Sequence, residues 1–395
     1  MLRPFRLPSG WAFAGHAWAL AVALLAMPVG QARARLIEEQ VRVPVTVVDL
    51  YRKTVSQEIV VTVFRDARAT RAPYLILHHG RAVNEQANLA YGRVRYSAAA
   101  RYFVAKGFAV LVPTRIGYGV SGGSDVEFSG NCSDHRHLPG YQVAADQSRQ
   151  VLAHFSRADF LDPSQGLVVG QSYGGATSVI LAAQGLDGLV AALNFAGGGG
   201  GNPESRPENP CRADLLEKIF ETAGKSSLVP VYSFYSANDR FWGERLPREW
   251  FSAFLRAGGR GEFIALPAHG TDGHGVFTAA PALWQPAVDR ILASLPLRLT
   301  PLPAPPTAPV PPPSGFARLD DVTALPHVQD GGRKGYEAFL ASPAPRAFVL
   351  NENGRWAWSS TPDDPLGDAL GRCNQGARSP CQPYAVDAAV VWRVR

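Results

Sequence analysis

Leu167-Val168-Val169-Gly170-Gln171-Ser172-Tyr173-Gly174-Gly175-Ala176-Thr177 passes from a β-branched run into a helical pattern opened by small residues. Its centre matches G-x-S-x-G. The context says more than the five letters: with a strand before and a helix after, the turn is sharp and strained, and it lifts the serine hydroxyl above the end of a sheet. A competing reading leaves Ser172 as a helix cap in a glycine-rich turn.

The surrounding chain supports a sheet. Short β-branched runs alternate with helical patterns, as expected of a mostly parallel sheet covered by helices on both faces. Strands are expected near 41–48 and 59–65, at Tyr74-Leu75-Ile76-Leu77, and over 108–112, 166–169, 189–195, 229–235 and 262–266. Helices are expected over 96–106, 141–157, 173–184, 248–257 and 282–295.

A serine nucleophile needs a base, and the base needs a carboxylate to orient it, in the chain order Ser, acid, His for this kind of turn. Asp239 in Ser236-Ala237-Asn238-Asp239-Arg240 follows a hydrophobic strand, where functional groups collect in open α/β sheets. Glu244 ranks second, and a helix-capping role for Asp239 is the alternative. The base comes from Pro267-Ala268-His269-Gly270-Thr271-Asp272-Gly273-His274-Gly275, with His274 preferred and His269 the alternative that would otherwise line the pocket. Oxyanion donors are expected at the Tyr173 N–H and, after the buried strand, at the Arg81 N–H in His78-His79-Gly80-Arg81. His78 and His79 read either as structural, with ring nitrogens held by backbone, or with His79 at the pocket. Tyr118, Phe241 and Trp242 are further candidate pocket walls. The chemistry requires no metal and no organic cofactor.

The set LHHGR, PTRIGYGVSGGSD, GQSYGG, SANDRFWG and LPAHGTDGHGVF resembles the dienelactone hydrolase-like branch of the α/β-hydrolase superfamily, and more loosely the prolyl oligopeptidase catalytic domain. The resemblance covers most of residues 60–295. It implies an α/β-hydrolase fold and a Ser172, Asp239, His274 triad. Dienelactone hydrolase itself uses a cysteine nucleophile where this chain has Ser172, so its lactone substrate is not carried over. The peptidase relatives carry a large N-terminal propeller, and the roughly forty residues between the expected export cleavage site and Tyr74 leave no room for one.

Of 395 residues 46% are hydrophobic and 18% charged, which excludes disorder over the whole length. The net charge of +6 raises a nucleic-acid or membrane-surface role. Arg3 and Arg6, the apolar stretch 17–27 and Ala32-Arg33-Ala34 have the three parts of a secretory signal, with cleavage expected after Ala34. Removal of 1–34 leaves 36 basic against 33 acidic residues without a basic run, an ordinary surface and not a polyanion footprint. The apolar stretch is short of the roughly 20 residues a spanning helix needs, so no integral membrane segment is expected after cleavage. The chain is expected to be exported to the periplasm or beyond. Cys132, Cys211, Cys373 and Cys381 then pair in an oxidising compartment, most simply Cys132 with Cys211 and Cys373 with Cys381. A metal site at Cys132, His135 and His137 is the competing reading, without a fourth ligand at a recognised spacing.

Eight prolines lie between Pro301 and Pro313. They divide the chain into a hydrolase-like domain over 35–298, a proline-rich linker over 299–314, and a small accessory module over 315–395. An insertion over 197–227, with a short helix near 212–223, is expected to cap the pocket. The module shows alternating patterns in PRAFVL, GRWAWSS and YAVDAAVVW and a helix near 365–372. Trp356 and Trp358 serve either a sugar or cell-envelope contact or a Trp-rich core.

The expected activity is hydrolysis of a carboxylic ester or related acyl bond on a small molecule. A prolyl oligopeptidase-like peptidase and a noncatalytic binding protein on the same scaffold are the alternatives.

Overall fold

The computed structural model describes residues 36–302, 310–342, 345–361, 364–375 and 377–393, all within one compact unit. The segment read as an export signal and the middle of the proline-rich stretch lie outside the described residues.

Strands β1 (Leu36–Val48) and β2 (Thr54–Asp66) form a long antiparallel hairpin. Along β1, Val43, Val45 and Val47 are buried and their neighbours exposed, the period-2 signature of a strand with one face on the core. Then follow β3 (Ala72–His78), α1 (Glu85–Leu89), α2 (Ser97–Ala105), β4 (Ala109–Thr114), α3 (His137–Phe155), β5 (Leu161–Gln171), α4 (Tyr173–Gln184), β6 (Leu189–Phe195), α5 (Ala213–Ser226), β7 (Val231–Ser236), α6 (Arg245–Arg256), β8 (Gly261–Leu266), α7 (Val276–Ala279) and α8 (Pro281–Ser294). Every residue of β3 and β4 is buried. Such uninterrupted apolar runs belong to parallel strands covered on both faces.

The sheet order is β1-β2-β4-β3-β5-β6-β7-β8, with β1, β2 and β4 antiparallel in turn and β4 through β8 parallel. This is the α/β-hydrolase fold. One core face carries Val168, Tyr141, Phe220, Trp250 and Phe254. The other carries Leu77, Val169, Phe195, Phe277 and Trp284. Strand ends and helices depart from the sequence reading by a few residues, most at β5, which pairs with β3 from Leu161 onward. Short α1 and α7 had no periodic signal to betray them.

Helix α5 was expected within a cap. It instead lays Leu216, Phe220 and Ala223, spaced four and three apart, into the same core face as α6, and so belongs to the layer covering the sheet. The residues of the insertion that face the cleft are the glycine run 198–201, Asn202, Arg206 and Cys211.

The C-terminal part forms a four-stranded sheet, β10-β9-β11-β12, from β9 (Ala347–Leu350), β10 (Trp356–Ser359), β11 (Gln382–Val386) and β12 (Ala389–Val390). Helix α9 (Asp330–Ala341) covers one face and α10 (Pro365–Asn374) the other. The sequence reading missed α9, whose Gly331 and Gly332 lower helix propensity while Gly332 and Gly335 make room for Trp356. Trp356 stacks on Phe348 at 5.8 Å between ring centroids, and Trp358 packs against the same core. The proline stretch does not separate this part from the rest: Arg95 of the larger sheet's flank donates to Asp368 Oδ1 of α10 at 2.8 Å and to Glu38 Oε2 of β1 at 2.6 Å.

Candidate active site

Ser172 sits between the last residue of β5 and the first of α4 with φ 56° and ψ −123°, a strained conformation for a residue with a Cβ. The chain accepts it because its neighbours are glycine: a Cβ on Gly170 would lie 2.1 Å from the carbonyl oxygen of Gly174. The Ser172 N–H donates to the Phe195 carbonyl at 2.8 Å, tying the turn to the end of β6.

Three loops at one sheet edge meet at Ser172. His274, in the turn after β8, places Nε2 3.0 Å from Ser172 Oγ. Its Nδ1 lies 3.0 Å from Asp239 Oδ2 and 3.1 Å from Oδ1, in the loop after β7. A carboxylate accepts only, so Nδ1 carries the proton and Nε2 is left as the acceptor facing the hydroxyl. Asp239 is fully buried, and its Oδ1 also accepts from the N–H groups of Phe241 at 2.8 Å and Trp242 at 3.2 Å. These donors hold the side chain with its oxygens toward the imidazole. Phe241 stacks on the His274 ring at 3.9 Å.

Two residues that sequence reasoning left out hold these loops together. Asp272 Oδ1 accepts from the N–H of His274 at 3.0 Å and of Arg240 at 3.1 Å. Asn238 accepts from the N–H of His269 at 3.0 Å and donates to the Gly270 carbonyl at 3.1 Å. The capping pattern Asp272-Gly273-His274 was a readable signal for the first, whereas the second bridges residues 31 apart and had none.

The cleft above Ser172 has a volume of about 630 Å³. Arg81, Tyr173, Phe241, Trp242, His274 and the glycine run 198–201 contribute to its walls. Three residues expected at the pocket do not line it. His79 and Tyr118 are wholly buried beneath the loop that carries Arg81, because their polar atoms are used in a hydrogen-bonded network there. His269 lies outside, held by Asn238. Glu244 stands at the start of α6 in an ion pair with Arg248, away from the imidazole.

The Arg81 guanidinium forms a two-pronged ion pair with Asp125. Gly80 passes close to the nucleophile: a Cβ there would lie 3.1 Å from Ser172 Cβ. Among the described residues neither the Arg81 N–H nor the Tyr173 N–H has a hydrogen-bond partner. Cys132 is bonded to Cys211 and Cys373 to Cys381. The first bridge closes one wall of the cleft. His135 and His137 beside it bond through their rings to the carbonyls of Gly130 and Cys211. With its sulfur in a disulfide, Cys132 has no thiolate to offer a metal, and no group of three or more His, Cys, Asp or Glu suited to a metal occurs among the described residues.

No family model and no curated protein matches the sequence. Solved structures resemble it at low identity. An uncomplexed acylaminoacyl peptidase from Pyrococcus horikoshii is 14% identical with a TM-score of 0.47, over 66% of this chain and 41% of that one. The Pyrococcus furiosus esterase Pf2001 is 11% identical with a TM-score of 0.45, over 66% and 91%. A Klebsiella pneumoniae protein assigned as a dienelactone hydrolase is 14% identical with a TM-score of 0.43, over 65% and 98%. The chain thus spans less than half the length of the peptidase it matches.

Proposed function

We propose that this protein is an exported serine hydrolase that cleaves a carboxylic ester or related acyl bond of a small molecule through an acyl-enzyme. The observation that carries this reading is the continuous hydrogen-bonded line from Ser172 Oγ through both nitrogens of His274 to buried Asp239.

In the proposed reaction Ser172 Oγ attacks the carbonyl carbon while its proton passes to His274 Nε2. Asp239 holds the ring in the required tautomer and stabilises the imidazolium. The carbonyl oxygen, now an oxyanion, accepts from the N–H groups of Tyr173 and Arg81. The imidazolium returns its proton to the leaving oxygen, the ester bond breaks, and the acyl group stays on Ser172. Water then gives a proton to His274 as its oxygen attacks the acyl carbon; the bond to Ser172 Oγ breaks, the imidazolium returns the proton to Oγ, and the acid leaves.

Export is part of the proposal. It is supported by the three-part N-terminal pattern and by two disulfides, which persist in oxidising compartments. No helix among the described residues is long and apolar enough to cross a membrane.

Labelling with a fluorophosphonate probe, followed by hydrolysis assays on short p-nitrophenyl esters, tests the mechanism. The expected result is one modified residue, Ser172, and loss of labelling and turnover in Ser172→Ala. Equal labelling of wild type and Ser172→Ala overturns it.

A further inference from the structure

Beneath the loop that carries Arg81 lies a buried network that the proposed reaction does not use directly. His79 is wholly buried, and both ring nitrogens are engaged. Nε2 lies 3.2 Å from the backbone N–H of Arg115, which can only donate, so Nε2 is the acceptor and Nδ1 carries the proton. That Nδ1–H donates to the carbonyl oxygen of Gly80 at 2.7 Å. Burial and the nearby Arg115 guanidinium keep the ring neutral by holding its pKa well below the usual histidine value.

Arg115 completes the clamp. Its Nη1 donates to the His79 carbonyl at 3.0 Å, and Nη2 reaches the Gly80 carbonyl at a longer 3.4 Å. Its charge is balanced by Glu127, equally buried, whose Oε1 accepts from Nε at 2.5 Å. Tyr118 donates to Glu127 Oε2 at 2.6 Å and accepts from the Arg81 guanidinium at 3.3 Å. Two side chains, His79 and Arg115, therefore converge on two consecutive carbonyls, with the Arg115 N–H holding the His79 ring and Glu127 holding the guanidinium.

The consequence follows from peptide geometry. In a trans peptide the C=O and the next N–H point in opposite directions. With the Gly80 oxygen drawn down toward His79 and Arg115, the Arg81 N–H turns away from the network, at a point where the chain passes so near Ser172 that a Cβ on Gly80 would lie 3.1 Å from the serine Cβ. We infer that His79, held by Arg115 and Glu127, is a positioning residue that fixes the Gly80–Arg81 peptide with its N–H aimed at the developing oxyanion. This rests on the hydrolase reading proposed above. A loop with Gly at its centre has many conformations open to it, and a donor that must be in place before charge develops needs such a clamp.

The test exploits the shape of two amides. An asparagine nitrogen falls near the histidine Nδ1 position and a glutamine nitrogen near Nε2. His79→Asn keeps a donor for the Gly80 carbonyl, and His79→Gln loses it, while both remove the same ring from the core. Both are assayed in the full-length protein on a p-nitrophenyl ester.

The expected result for His79→Gln is a fall in kcat of about 100-fold with KM within a few-fold, the scale of losing one oxyanion donor. His79→Asn is expected to retain kcat to within about tenfold. Equal losses in both variants, no loss in either, or a change confined to KM overturns the inference. If His79→Gln does not fold, Tyr118→Phe removes one hydroxyl from the edge of the network; a several-fold fall in kcat at constant KM supports the inference, and unchanged kcat overturns it. A wild-type protein that labels with fluorophosphonate while the variants behave alike overturns the clamp only. A wild-type protein that neither labels nor turns over ester overturns the hydrolase reading and the clamp with it.

Discussion

Asp239 and His274, 35 residues apart, meet with a carboxylate oxygen 3.0 Å from Nδ1. The bond sets the tautomer that leaves Nε2 free to take a proton from Ser172. Replacing the acid by its amide tests that coupling. Asp239→Asn offers the imidazole an N–H donor in place of one acceptor and favours the wrong tautomer. A loss of roughly 10³- to 10⁴-fold in kcat is expected, with KM nearly unchanged, in steady-state ester hydrolysis.

Two further buried histidines govern acid stability alongside His79. Burial depresses the pKa of His78 and of His137 to about 3, and that of His79 well below its ordinary value. In the unfolded chain all three titrate near 6.5. The stabilisation is therefore fully present above about pH 6.5. As pH falls below that value the unfolded state binds protons that the folded state refuses, and stability drops until the folded pKa is reached. Each histidine contributes a slope of up to about 1.4 kcal/mol per pH unit. Urea midpoints should fall from pH 7 to pH 5, and His137→Gln should make that fall shallower.

The two disulfides close loops of very different length, 79 residues for Cys132–Cys211 and 8 for Cys373–Cys381. Loop-closure entropy then predicts about 4.5 kcal/mol for the first and about 2.5 for the second. Urea unfolding of the Cys132→Ala/Cys211→Ala and Cys373→Ala/Cys381→Ala proteins checks the ranking. Because the first bridge also walls the cleft, its loss should change KM, whereas loss of the second should leave KM as it was.

Asp368 is nearly buried between Arg95 and Arg372 and joins the small sheet's helix to the large domain. Asp368→Asn leaves the buried Arg95 with Glu38 as its one carboxylate partner among the described residues. Breaking such a pair costs about 3–5 kcal/mol, far more than an exposed pair such as Arg245–Glu249. Denaturation of Asp368→Asn and Glu249→Gln should separate the two.

The sequence alone determined the strand-turn-helix around Ser172, because glycines are the only residues that clear so sharp a turn. It also determined the alternation of strands and helices, because each strand is long and apolar enough to announce itself. Phe241 and Trp242 were readable as cleft walls from their place just after Asp239. Whether a residue faces the cleft or the interior is a different matter. His79 and Tyr118 stand beside pocket loops in sequence, yet Arg115 and Glu127 draw them inward through bonds between residues 9 to 36 apart. Helix α5 has the composition of an insertion and became a layer helix because its apolar stripe matched the one α6 presents. The proline stretch reads as a spacer, but buried ion pairs between Glu38, Arg95 and Asp368 bring its two sides together. Local propensity and periodicity are written in neighbouring residues. Burial, ion pairing and the aim of a peptide N–H depend on partners that only folding brings within reach.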